Sequence, residues 1–148
     1  MSTPIYIVDA FTEVPFAGNP AAVCLLLEEA DAAWMQRVAM EMNLSETAFV
    51  RPITGGFELR WFTPAAEVEL CGHATLATAH LLWSRNLTQA TEMIYFQTKY
   101  VDGITCTREA TGMIGMDLPI DVPRDEAPPE ELIETLGVEA VNVARGRY

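Results

Sequence analysis

The sequence predicts an α+β fold: a curved, mixed β-sheet or barrel wrapped around one central buried helix, followed by the opening of a second domain. Three observations carry this prediction. Many short β-rich segments have only two helices of any length among them. Strands and helices do not alternate regularly, which argues against a doubly wound parallel sheet. And "HATLATAHLLW", inside the stretch Val68 to Trp83, is apolar on every side, so as a helix it has to be buried on every side.

The elements follow in order. "PIYIVDAF" (Pro4 to Phe11) is rich in β-branched and aromatic residues and reads as a strand. Pro15, Gly18, Asn19 and Pro20 punctuate a loop, and Ala21 to Leu27 is a short buried run. Asp31 to Asn43 is a helix with Asp31 as N-cap and an apolar face of Trp34, Val38 and Met42. Glu46 to about Arg51 reads as a strand. A Gly-Gly turn then leads to a half-buried strand with Phe57, Leu59 and Trp61 inward against Glu58, Arg60 and Phe62. "EVEL" enters the apolar helix, Gly72 to about Ser84. "MIYFQTKY", "GITCTRE" and "GMIGMDLP" are three further short strands.

"DVPRDEAPPE" reads as a linker, "PEELIETLG" as a short helix ended by Gly137, and "VEAVNVARGRY" as the start of a strand with an unpaired edge. The expected division is residues 1–120 as the first domain and 121–148 as the linker and incomplete beginning of a second.

A length of 148 residues allows one domain with a real core. The net charge of −12, from 21 acidic and 9 basic residues, repels phosphate backbones and argues against nucleic-acid binding. Cys24, Cys71 and Cys106 are odd in number and scattered. They form neither a disulfide framework nor a CxxC metal pair, and read as free thiols in a reducing compartment. The N-terminus lacks a secretory pattern, and the apolar runs are far shorter than the ~20 residues of a membrane helix. A soluble cytoplasmic protein is expected, without a membrane partner.

Candidate chemistry gathers at two places. Cys71, Gly72 and His73 stand where a strand turns into the apolar helix. The first N–H groups of a helix have no internal partners and carry partial positive charge, so a carboxylate would sit well there. Glycine lets a ligand approach the backbone, His73 can donate a hydrogen bond or relay a proton, and Cys71 can act as an acid–base thiol if the helix end lowers its pKa. The same pattern also fits a tight turn at Gly72, an N-terminal cap at His73 and a small core residue at Cys71. The second place is "NLSETAFV", where Glu46 beside Ser45 precedes an apolar strand. Partial desolvation there would suit a general base, although a turn and a solvent-facing strand residue fit equally. His80 lies two turns from His73, ~10 Å away and too far to share an ion, and reads as a core histidine. No metal site is expected. Asn19 in "FAGNPAAV" is by itself only a turn signal.

Together, "DAFTEVPFAGNPAAV", "MNLSETAFV", "RWFTPAAEVELCGHATLATAHLLW" and "GMIGMDLP" resemble, in order and spacing, the PhzF-like family of phenazine-biosynthesis-type isomerases, closely over residues 5 to 84 and more loosely beyond. The family shares the diaminopimelate epimerase-like fold: two similar domains, each a curved sheet or barrel around a central helix, with the active site between them. The resemblance implies an isomerase of biosynthetic type that moves a proton on a small carboxylate-bearing substrate, with no cofactor and no metal. It implies Glu46 as the acid–base residue, Ser45 beside it, Gly72 and His73 as substrate-binding residues and Asn19 near the same cleft. The related epimerases have a catalytic thiol at the position of Cys71. Family members commonly pair into dimers.

Two departures stand out. "FQTKYVDGITC" replaces the family's usual "TxSG" turn. The family chain is also roughly twice as long, and nothing like its second-half motif "EDPVTGSA" occurs here. Activity is therefore expected to depend on a second half, from a homodimer partner or from a missing C-terminal segment. The competing readings are a non-catalytic module that binds small carboxylates or serves assembly, and a thiol-dependent epimerase using Cys71.

Overall fold

A computed structural model describes residues 2–88, 93–129, 131–137, 139 and 143–146. The strands β1 (Ile5–Ala10), β2 (Asn19–Leu25), β3 (Thr47–Ile53), β4 (Gly56–Phe62), β6 (Met93–Gln97), β7 (Ile104–Arg108) and β8 (Ile114–Asp117) form one sheet in the order β1-β2-β3-β4-β6-β7-β8. The short β5 (Glu67–Val68) is added to β4. Helix α1 (Ala32–Met42) joins the parallel pair β2 and β3, and α2 (Gly72–Ser84) joins the parallel pair β4 and β6; the other pairings are antiparallel. β2 and β3 run one way, β4 and β6 the other. Two right-handed crossovers then have to lie on opposite faces of the sheet, and they do.

Alternation along the strands supplies both cores. Val23, Ala48, Val50, Leu59, Trp61, Ile94 and Phe96 point to the α2 side. Cys24, Phe49 and Phe62 point to the α1 side, where they meet Met35 and Ala39. A fully buried Leu, Ile or Phe contributes roughly 1.5–3 kcal/mol, so the α2 side holds the larger share of the stability. The mixed, curved sheet around α2 is the predicted architecture. Phe62, placed with the outward residues of β4 by its alternation, is buried too, because α1 covers that end of the sheet.

Both helices begin and end as the sequence indicates. The Asp31 carboxylate accepts the Trp34 amide at 3.2 Å, and Asn43 ends α1 in the left-handed region with φ 51°. The buried centre of α1 is Met35 and Ala39, with Trp34 and Val38 half-buried at the flank. The apolar stripe is thus rotated by one position from the expected Trp34/Val38/Met42 face. In α2 the Thr75 and Thr78 hydroxyls donate to the carbonyls of Cys71 and Ala74 at 2.6 and 2.7 Å. Two polar residues can therefore be buried inside the core.

The full burial expected for α2 does not hold on one stripe. Gly72 and Leu76 are half-buried, and His80 and Ser84 are exposed. The sheet curls around α2, bringing its two end strands β1 and β8 against the helix, and the stripe lies along the side the sheet leaves open. His80 is therefore not a core histidine. It lines an open groove with Tyr6, Asp9, Glu13, Ser84 and Arg85.

The β6–β7 connection is a closed turn. The Thr98 hydroxyl donates to the Val101 carbonyl at 2.6 Å and accepts the Val101 amide at 3.2 Å, closing the turn. Gly103 follows at φ 89°, packed on the Tyr95 ring where a Cβ has no room. Past β8, Arg124–Asp125 (β9) pairs antiparallel with Ala144–Arg145 (β10), and α3 (Leu132–Leu136) ends at Gly137. The predicted linker thus contains a short strand, and the last strand has a partner on one side. The rest of that strand prediction, at 138, 140–142 and 147–148, lies outside the described residues.

Candidate active site

The site forms where the α1–β3 turn meets the head of α2. Asn43 turns the chain out of α1, and Leu44, Ser45 and Glu46 lead directly into β3. β2 runs parallel beside β3, and the Ala22 amide donates to the Glu46 carbonyl at 3.2 Å, which fixes the backbone beneath that side chain. Facing this turn is the head of α2, with Cys71 at the N-cap.

His73 is the centre of the cluster. Its Nε2 lies 3.4 Å from Glu46 Oε2 and 3.4 Å from Ser45 Oγ, and its Nδ1 lies 3.4 Å from Cys71 Sγ. The side chains of His73 and Glu46 are 11% and 21% exposed, Ser45 is exposed and Cys71 is buried. The arrangement is a chain, carboxylate to imidazole to thiol, that runs from the surface inward.

No side-chain hydrogen bond closes the cap of α2. The Ala74 and His73 amides turn toward the Cys71 sulfur, and the head of α2 carries the partial positive charge of a helix N-terminus. A Cβ on Gly72 would meet only Met116 Cε, at 3.7 Å, so the space before the helix end is open. Met116 of β8 borders that space.

Burial pushes the Cys71 thiol up to about 11; the Ala74 and His73 amides oppose this, and the Glu46 charge adds to it. The condition set for an acid–base role of this thiol, a pKa lowered by the helix end, meets the opposite shift: desolvation outweighs the amides, and the sulfur stays protonated at neutral pH. Cys24 and Cys106 are wholly buried, their thiols pushed by desolvation up to about 11 and about 12.

Glu46, Cys71 and His73 each bring a ligand atom within 4.8 Å of the others. Yet His73 turns one ring nitrogen to the sulfur and the other to the carboxylate. The shortest contacts of His73 are thus divided between its two nitrogens, in a chain from carboxylate to imidazole to thiol.

Asn19 stands exposed at the start of β2, at the same end of the sheet as Glu46. The structure thus gathers Ser45, Glu46, Cys71 and His73, with Gly72 at the helix head beside them, and leaves Asn19 at the same end of the sheet without a contact to them among those described.

The chain is similar to several known proteins. The family model described as phenazine biosynthesis-like protein, PhzC-PhzF, matches residues 8–136. A curated relative named an uncharacterized isomerase, from Halalkalibacterium halodurans, is 52% identical over 149 aligned positions, covering 100% of this chain and 56% of that protein. The crystal structure of a PhzF-family phenazine biosynthesis protein from Enterococcus faecalis superposes with a TM-score of 0.83 at 41% identity, over 99% of this chain and 55% of that one. A structure from Pseudomonas aeruginosa described as a predicted epimerase gives 0.61 at 27% identity, over 87% of this chain and 46% of that one. The chain spans about half the length of the curated relatives it matches. Among the described residues no helix is long and apolar enough to cross a membrane. With the sheet-around-helix fold and a family match over most of its length, the chain belongs to the phenazine biosynthesis-like (PhzC-PhzF) family.

Proposed function

We propose that this chain supplies the base-bearing wall of a PhzF-type isomerase, which moves a proton between two carbons of a small carboxylate-bearing substrate without cofactor or metal. The observation that carries this reading is the Glu46 carboxylate 3.4 Å from His73, at a helix head that no side chain caps. The amides at the head of α2 hold the substrate's carboxylate. Glu46 takes a proton from a substrate carbon; the electron pair left behind spreads into the adjoining π-system, and the same carboxyl returns the proton at another carbon. His73 and Ser45 keep the carboxylate in place, and Asn19 lines the rim. The second wall comes from outside residues 1–148, in the same polypeptide or a partner copy, with 1–120 as the first domain and 121–148 leading toward the second. The uncovered stripe of α2 supports this, as does the length of the relatives. Three free cysteines favour a reducing, cytoplasmic location.

Deuterium uptake from heavy water into small cyclic and amino-bearing carboxylates tests the reading. Glu46→Gln is expected to lower exchange by about 10²–10⁴-fold. Exchange that persists in this variant removes Glu46 from the mechanism.

A second reading, a non-catalytic carboxylate-binding or assembly module, is favoured by the open side of the site. It calls for binding without exchange, lost in His73→Ala. Against a thiol-dependent epimerase stand the protonated Cys71 and the full burial of Cys24 and Cys106.

A further inference from the structure

We infer that Cys71 is a positioning residue that fixes the tautomer of His73, so that Nε2 carries the ring proton and aims it at Glu46, Ser45 and any substrate oxygen placed there. The consequence for catalysis rests on the proposed function; the tautomer itself does not.

The argument starts from what each neighbour can offer. His73 is faced by Ser45 and Glu46 from the turn before β3 and by Cys71 at the head of its own helix. An ionised carboxylate only accepts, and a hydroxyl does both. A protonated thiol has one hydrogen to place, and Nδ1 is 3.4 Å from this one. That is an ordinary length for a contact involving sulfur, whereas 3.4 Å is long for nitrogen and oxygen. The better-made contact is thus the one to Cys71. If S–H donates to Nδ1, that nitrogen holds no proton and Nε2 must hold it. The reverse tautomer would set the Nε2 lone pair against the Glu46 carboxylate and waste the thiol hydrogen. His73 is thereby a donor toward the site, which leaves the accepting role to Glu46.

The test is nitrogen-15 NMR of the ring nitrogens in the 148-residue chain, at a pH where imidazole is neutral and the thiol is not ionised. The chain has two histidines, and exposed His80 serves as the unconstrained reference. Glu46→Gln removes the carboxylate's demand, because an amide both donates and accepts. In that variant His73 is expected to keep a single Nε2–H tautomer. Adding Cys71→Ala should move it to the averaged pattern of His80, and adding Cys71→Ser instead should restore the single form. The inference is overturned if Glu46→Gln alone relaxes His73 to the His80 pattern, or if Cys71→Ala on that background changes nothing. Should the alanine variant fail to fold, Cys71→Val on the same background, which fills the space without a donor, takes its place with the same two outcomes. Persistent exchange in Glu46→Gln would defeat the proposed function without touching this result.

Discussion

Ser45 Oγ and His73 Nε2 lie 3.4 Å apart although 28 residues separate them in sequence. The α1–β3 turn and the head of α2 are brought together because α2 packs across β2 and β3, and β3 begins at the residue after Glu46. The site is a by-product of how the sheet grips its central helix, so changes to either are felt at the carboxylate.

Cys71 should be a poor nucleophile in the folded chain. Its thiol is held up to about 11, so alkylation at pH 7–8 should run far slower than for the unfolded chain, where thiols titrate near 8.5. Mass spectrometry after iodoacetamide treatment reads this; labelling of Cys71 at the unfolded rate would show that burial does not control it. All three thiols have raised values, so their contribution to stability is full below the unfolded thiol pKa. It is lost as pH rises toward about 11–12. The urea midpoint should fall across that window, and less steeply in Cys71→Ser.

Along α2, position decides cost. His80→Gln, on the open stripe, should change stability by less than about 0.5 kcal/mol. Leu82→Ala, nearly wholly buried, should cost about 2–5 kcal/mol. Equal losses in urea titrations of the two variants would mean that the stripe is covered.

Glu67 ties β4, β5 and the β6–β7 turn. Arg60 donates to it twice, at 2.7 and 2.9 Å, and Lys99 Nζ lies 3.0 Å away. Burial alone would raise this carboxyl, but Arg60 and Lys99 outweigh it and hold it below the ordinary value. The stabilisation is present above the unfolded carboxylate pKa and is lost as pH falls below it. Glu67→Gln should flatten the decline in stability between about pH 5 and 3. At pH 7 it should cost more than the ~0–1 kcal/mol of an exposed pair and less than the ~3–5 kcal/mol of a fully buried one. An unchanged acid profile would show the network to be idle.

Gly18 packs against the Ala10 carbonyl and the Thr12 methyl, where a Cβ has no space. Gly18→Ala should cost about 1–3 kcal/mol and displace the start of β2, where Asn19 stands. Amide shift changes confined to residue 18 itself would contradict this.

The sequence by itself determined the order of the main elements, the limits of α2 and the inward face of β4 at Leu59 and Trp61. Period-2 and period-3.6 patterns, an Asp N-cap and turn glycines are local signals that survive any tertiary arrangement. Its short motifs also pointed to Glu46, Gly72 and His73, because matched spacing to a family carries information that composition does not. The tertiary structure alone decided the rest. His80 is exposed because the sheet curls around α2 without covering one stripe, and no local pattern records where a sheet stops. The apolar face of α1 centres on Met35 and Ala39 because Phe49 and Phe62 lie opposite them. Cys71 keeps its proton because desolvation by distant segments exceeds the pull of its own helix. In each case the deciding energy comes from residues far away in sequence, whose approach is fixed only when the sheet closes on the helix.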